Sequence, residues 1–100
     1  MIHLTSETQV MIAASPVDFR RGIDGLVGLC EHVLKQNPRS GTVFAFISSD
    51  RTKLRMLVYE GNGFWLMTKR LSSGKFSWPK VGDVINPLQA GELRRLLSGC

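Results

Sequence analysis

Apolar positions between Thr42 and Pro79 fall into short runs rich in Val, Ile, Phe, Trp and Tyr, separated by clusters of turn residues. Thr42 to Ile47, Lys53 to Tyr59 and Phe64 to Leu71 read as strands, divided by Ser48-Ser49-Asp50 and Gly61-Asn62-Gly63 and followed by Ser72-Ser73-Gly74. Asn62-Gly63 supplies the positive φ angles expected of a tight hairpin. The first run, Val43 to Ile47, is apolar on both faces and predicts a central strand. In the second, Leu54, Met56 and Val58 point to the core, while Lys53 and Arg55 share the other face with Leu57 and Tyr59. In the third, Phe64, Leu66, Thr68 and Arg70 face one way and Trp65, Met67, Lys69 and Leu71 the other. Only one of Phe64 and Trp65 can then be interior. Lys75 to Trp78 predicts a short fourth strand, stopped by Pro79 at a sheet edge.

The flanks predict helices and one further strand. Gln9 to Ala14 is a short apolar run that reads as a buried strand. Ser15 is positioned as the N-cap of a helix with Pro16 in its first position and Asp18 near its N-terminus. Ile23, Leu26, Val27, Cys30, Val33 and Leu34 form a stripe at spacings of three and four, which carries that helix to about Gln36, before Asn37-Pro38. Gly22, Gly25 and Gly28 each cost the helix about 1 kcal/mol relative to Ala. Close approach to the sheet or a break near Gly22 would offset that cost. Near the C-terminus, Asn86-Pro87 with Gln89 opens a second helix whose stripe is Leu88, Leu93, Leu96 and Leu97, ending at Gly99. The fold class is α+β: a four- or five-stranded, mostly antiparallel sheet with a helix in the N-terminal half and a C-terminal helix packed against it. Residues 1–100 make a single domain.

Composition narrows the chemistry. An apolar content of 43% suffices for one core. No apolar run reaches the roughly 18–20 residues of a membrane span, and the N-terminus lacks signal-peptide features, which reads as a soluble, cytoplasmic protein. Cys30 and Cys100 have neither zinc-ligand nor disulfide-framework spacing. His3 and His32 lack partners at ligand spacing, and Ser15, Ser48, Ser49, Ser72 and Ser73 are turn and cap residues without a His base nearby. Asp18 and Asp24, six apart, would lie about 120° from each other around a helix, so they do not converge on a metal without a break at Gly22. No cofactor is implied.

Charge is the most informative bulk property. There are 13 basic and 8 acidic residues, for a net charge of +5. Between positions 51 and 80, Arg51, Lys53, Arg55, Lys69, Arg70, Lys75 and Lys80 face only Glu60, so this segment is more positive than the whole chain. Such strands suit a polyanion, most simply DNA, although they also serve as a solubilising face that discourages edge pairing. The aromatics Tyr59, Phe64, Trp65, Phe76 and Trp78 interleave with these cations, as in sheets that stack bases, but aromatics in strands also build cores. Arg20 and Arg21 stand at a helix start, where the dipole disfavours cations. They imply either ion pairs with Asp18, Asp24 or Glu60, or a phosphate or carboxylate on a partner.

Five segments in order and spacing resemble a known family: Asp18-Phe19-Arg20-Arg21-Gly22-Ile23-Asp24-Gly25-Leu26, Tyr59-Glu60-Gly61-Asn62-Gly63-Phe64, Lys69-Arg70-Leu71, Gly74-Lys75-Phe76-Ser77-Trp78-Pro79 and Leu93-Arg94-Arg95-Leu96-Leu97-Ser98-Gly99. The chain is similar over nearly its whole length to the TnpB-type accessory proteins, second open reading frame products of transposons of insertion sequence family sixty-six. Arg21 stands where Lys is common in them, and Glu60 where Asp is usual. The resemblance implies a non-catalytic aid to transposition, encoded beside a larger transposase that performs strand transfer. The candidate nucleic-acid contacts are Lys53, Arg55, Lys69, Arg70 and Lys75. The motif positions Asp18, Arg20, Arg21, Gly22, Asp24, Gly25 and Trp78 are the candidate partner-binding set. An adaptor that binds the transposase, or a second copy of itself, through exposed aromatics and Arg20-Arg21 is the competing reading.

Overall fold

The apolar runs become strands almost where the pattern puts them. A computed structural model describes residues 8–13, 15–78 and 85–88. In chain order the elements are β1 (Val10–Ala13), α1 (Ile23–His32), β2 (Val43–Ile47), β3 (Lys53–Glu60), β4 (Gly63–Arg70) and β5 (Ile85–Leu88). They build one five-stranded sheet in the order β4-β3-β2-β1-β5. β1 and β2 are parallel, joined through α1, with Val10 opposite Val43 and Ile12 opposite Ala45. The other three pairings are antiparallel, so the sheet is mixed but mostly antiparallel. No helix of the described residues is long and apolar enough to cross a membrane.

Both faces of the sheet are covered, which explains why every residue of the central β2 is buried. On one side Phe44, Phe46, Leu57 and Ala13 pack against Leu26 and Cys30 of α1, with Val17 and Phe19 alongside. On the other, Ile12, Ala45, Ile47 and Leu54 pack against Phe76 and Trp78. Burying one large side chain in such layers is worth about 1.5–3 kcal/mol. Leu57 is fully buried beneath α1, a correction to the expectation that β3 turns only Leu54, Met56 and Val58 to a core.

The helix is shorter than its apolar stripe. Ser15 and Pro16 do not cap it; Gly22, extended at φ −88°, is the N-cap residue. Tertiary bonding overrides the local signal here: the Val17 N–H donates to the Ile47 carbonyl at 3.0 Å, prolonging the course of β1 beside the end of β2. Asp18 then bends the chain with its own carboxylate, which accepts the Arg20 N–H at 2.9 Å, a local turn that competes with helix. So the chain does break near Gly22, as one of the two sequence alternatives requires. A Cβ on Gly25 would meet the Arg21 Cβ at 3.0 Å, whereas one on Gly22 or Gly28 would meet nothing within 4 Å. Close approach therefore explains Gly25 alone, through the preceding loop and not the sheet, and nothing in the structure explains Gly28. At the other end the helix stops four residues before Gln36. Lys35 takes φ 56°, and the Gln36 N–H reaches back to the Cys30 carbonyl at 2.8 Å, closing the last turn.

Three further expectations are corrected. The hairpin loop is Gly61-Asn62, closed by Glu60 opposite Gly63, and Gly61 at φ 68° takes the positive angle, so Gly63 opens β4. Lys75 to Trp78 is not a strand. It is a strap whose Phe76 N–H donates to the Arg51 carbonyl at 2.8 Å while Phe76 and Trp78 turn inward. Asn86-Pro87 does not open a helix, because Ile85–Leu88 pairs with β1, Pro87 lying opposite Met11. Pairing with the second edge of β1 outweighs a weak cap signal, and Pro is tolerated at the margin of a sheet. The remainder of the expected C-terminal helix, together with Pro79 and Lys80, lies outside the described residues.

Candidate nucleic-acid interface

Register decides which cations share a surface. Lys53 lies opposite Arg70 and Arg55 opposite Thr68, so these four stand on the face of the β3–β4 hairpin that also carries Leu57 and Leu66 toward α1. Lys69 lies opposite Leu54 and so belongs to the other face. Lys75 is exposed on the strap that crosses that other face. Of the five strand and strap cations singled out in the sequence, Lys53, Arg55 and Arg70 come together; Lys69 and Lys75 do not join them.

Arg55 ties this group to the loop before α1. Its Nε donates to Thr68 Oγ1 at 2.9 Å, and its Nη1 donates to the Arg21 carbonyl, 34 residues away, at 2.9 Å. The guanidinium also lies 4.8 Å from the centroid of Phe19. Two bonds and a stacked ring hold an otherwise flexible side chain in one place. The backbone of Arg21 thereby lies against Arg55, and Arg20 shares a cleft lining with Lys53 and Arg55.

The cleft there measures about 690 Å³ and is lined by the loop from Pro16 to Arg20, the turn from Ser48 to Asp50, and Lys53 and Arg55. Asp50 makes the turn rigid: its Oδ1 accepts from Ser48 Oγ and Thr52 Oγ1, both at 2.8 Å, and from the Thr52 N–H at 3.1 Å. The Lys53 N–H in turn donates to Ser48 Oγ at 3.1 Å. Hydrogen bonds from the Thr52 side chain and backbone, then from Ser48, lower the Asp50 pKa to about 2. Asp18 is likewise held at about 2, first by the Arg20 side chain, which it meets at 2.7 Å. The ion pair expected of Arg20 is thus made with Asp18. Asp18 itself does not cap the helix, whereas Asp24 sits in the first turn of α1. The cleft lining therefore sets Arg20, Lys53 and Arg55 against two ionised carboxylates, Asp18, which pairs with Arg20, and Asp50, which is held by neutral donors.

Other candidates take structural places. Trp78 is 5% exposed, and its Nε1 donates to the Ala13 carbonyl at 3.0 Å across 65 residues of sequence. It is a core residue rather than part of a surface. Gly22 and Gly25 shape the helix entry. Burial pushes the Cys30 thiol up to about 12. Among the described residues no three His, Cys, Asp or Glu side chains cluster as a metal set. Tyr59 and Phe64 stack edge-on at 5.0 Å with Arg39 over both rings, at 5.9 and 5.5 Å, so they are no open platform for bases. Trp65, 44% exposed, is the outward aromatic. Arg39 and Thr68 were absent from the sequence candidates. An Arg just after a helix-ending Pro, and a Thr alternating with cations, were the only signals available.

Comparison with known proteins adds a family. The family described as IS66 Orf2 like protein matches residues 8–100. Two curated relatives, both from Sinorhizobium fredii and both named as uncharacterized proteins (y4jC and y4hO), are 38% and 33% identical over 99 residues. The alignments cover 99% of this chain and 85% and 86% of theirs. No solved structure matches.

Proposed function

Because the chain belongs to the IS66 Orf2-like family of transposition-associated proteins, we propose that it is a non-catalytic accessory of DNA transposition that grips the DNA backbone at the cleft beside Arg55. The observation that supports this reading is the Arg55 bond to the Arg21 carbonyl, which brings the loop of Arg20 and Arg21 against the basic hairpin. Lys53, Arg55, Arg70 and Arg21 face phosphates, and Arg20 joins them while retaining Asp18. Phosphate contacts position a protein and carry no base information, so discrimination between sequences is small. The protein works in the cytoplasm beside the transposase encoded by the same element, which supplies the strand-transfer chemistry. A direct protein contact is the second reading, and exposed Trp65 is what favours it.

The test is fluorescence anisotropy with a transposon-end duplex and an unrelated duplex. Four to five neutralised phosphates give a log–log salt slope of about −3.5 to −4.5, hence a loss of roughly 100- to 500-fold between about 50 and 200 mM salt. The double change Lys53→Glu, Arg70→Glu abolishes binding, whereas Lys69→Glu, on the opposite face, leaves most of it. Absence of binding at the lower salt, or equal loss from Lys69→Glu, rejects this surface.

A further inference from the structure

Val10, Val43 and Val58 form a row across three neighbouring strands. Val10 lies opposite Val43, and the pairing of Phe44 with Leu57 brings Val43 beside Val58, so that the three pack as one cluster. They are 0%, 0% and 3% exposed. The middle of a sheet face is buried to this degree only under a second layer. The strap supplies such a layer on the same face, but over Ile12, Ala45, Ile47 and Leu54, where Phe76 and Trp78 pack. Among the described residues, the partly buried apolar side chains packed against the valines are Met56 and Met67, which lie opposite each other in the next row of the sheet itself. That burial is reached within one chain, so what lies over the valines is a further segment of this chain.

We propose that this segment is residues 89–100, seated on the valine row through Leu93, Leu96 and Leu97. β5 ends at Leu88, opposite Val10, so the chain leaves the sheet at the row itself. The three leucines are spaced three and four apart, which is one side of a helix, with Arg95 on the other. Ten residues of helix are about 15 Å long, and three neighbouring strands span about 10 Å, so one short helix laid across the strands covers the row. The other segments outside the described residues suit it less. Trp78 bonds to the Ala13 carbonyl and Ile85 lies opposite Ala13, so residues 79–84 begin and end at the far end of β1. Residues 1–7 lead into the near end, but Ile2 and Leu4 alternate with His3 and Thr5 and make no comparable stripe. The seat lies on the opposite face of the sheet from α1 and Arg55, so it stands independently of DNA binding at the cleft.

Nuclear Overhauser spectra of the full chain, labelled at the methyl groups of Leu, Val and Ile and recorded without DNA, test this seat. Cross-peaks join the methyls of Leu93, Leu96 or Leu97 to those of Val10, Val43 and Val58, and in a mixture of labelled and unlabelled chains they arise within a chain and not between chains. Urea unfolding gives a second readout. Leu96→Ala lowers the folding equilibrium constant about thirtyfold or more, as truncation of a buried leucine does, whereas Arg95→Ala, on the outer side, changes it less than about threefold. Cross-peaks to the valines from Ile2 or Leu4 in place of the leucines, cross-peaks only between chains, no cross-peak from any of the three leucines to the valines, or equal effects of Leu96→Ala and Arg95→Ala each overturn the proposal.

Discussion

Replacing Trp78 separates a core residue from a partner-binding one. Its indole fills the layer between Phe76 and the strand residues Ile12, Ala45, Ile47 and Leu54, and its Nε1–H satisfies the Ala13 carbonyl. Trp78→Phe removes that buried hydrogen bond, at about 1–2 kcal/mol. It also opens roughly 40 Å³ of cavity, which at about 24 cal/mol per Å³ adds about 1 kcal/mol. The total, about 2–3 kcal/mol, is a large part of the 5–15 kcal/mol typical of a domain, and Trp78→Ala at about 3–5 kcal/mol leaves little margin. Urea unfolding followed by far-UV circular dichroism reads the effect. With a slope of about 1–2 kcal/mol per molar urea, Trp78→Phe lowers the midpoint by roughly 1–3 M. A midpoint shift below about 0.3 M would refute the core assignment, since the lost hydrogen bond alone exceeds it.

Other consequences are as direct. In a double-mutant cycle of Arg55→Met and Thr68→Val, the coupling energy is about 0.5–1.5 kcal/mol by urea unfolding, and additivity within error would mean that the 2.9 Å bond contributes nothing. Gly28→Ala raises stability by about 0.5–1 kcal/mol, whereas Gly25→Ala gains nothing or loses, because its Cβ collides with that of Arg21; equal gains in thermal melts would count against the collision. Asp50 and Asp18 titrate near 2 in the folded protein, below their ordinary 3.8, so what they contribute is complete above about pH 5 and is lost as pH falls toward 2. Thermal melts between about pH 5 and 2 show a decline that Asp50→Asn makes shallower; an identical decline would place the acid sensitivity elsewhere.

Sequence alone determined what depends on near neighbours. β2, β3 and β4 were legible because alternation and turn residues are local, and the same period of two put Lys69 and Arg70 on opposite faces. The central place of β2 followed from apolar residues on both sides. The family resemblance likewise rests on sequence order. The helix start is not legible locally: Ser15-Pro16 is a good local cap, but the Val17 bond to Ile47 pairs residues 30 apart, which no cap preference registers. Trp78 and Phe76 carried strand chemistry, yet a strap with inward side chains satisfies the same alternation without a ladder.

Only the tertiary structure decided which cations form one surface. Alternation told Lys69 from Arg70, but not which of them shares a face with Arg55; that required the pairing of Arg55 with Thr68 across two strands. Nor could the segment of Arg20 and Arg21 be joined to the hairpin until Arg55 reached the Arg21 carbonyl. The physical reason is the same in each case. Period and propensity act over a few residues, whereas register and long-range hydrogen bonds are settled by the whole sheet closing over its core.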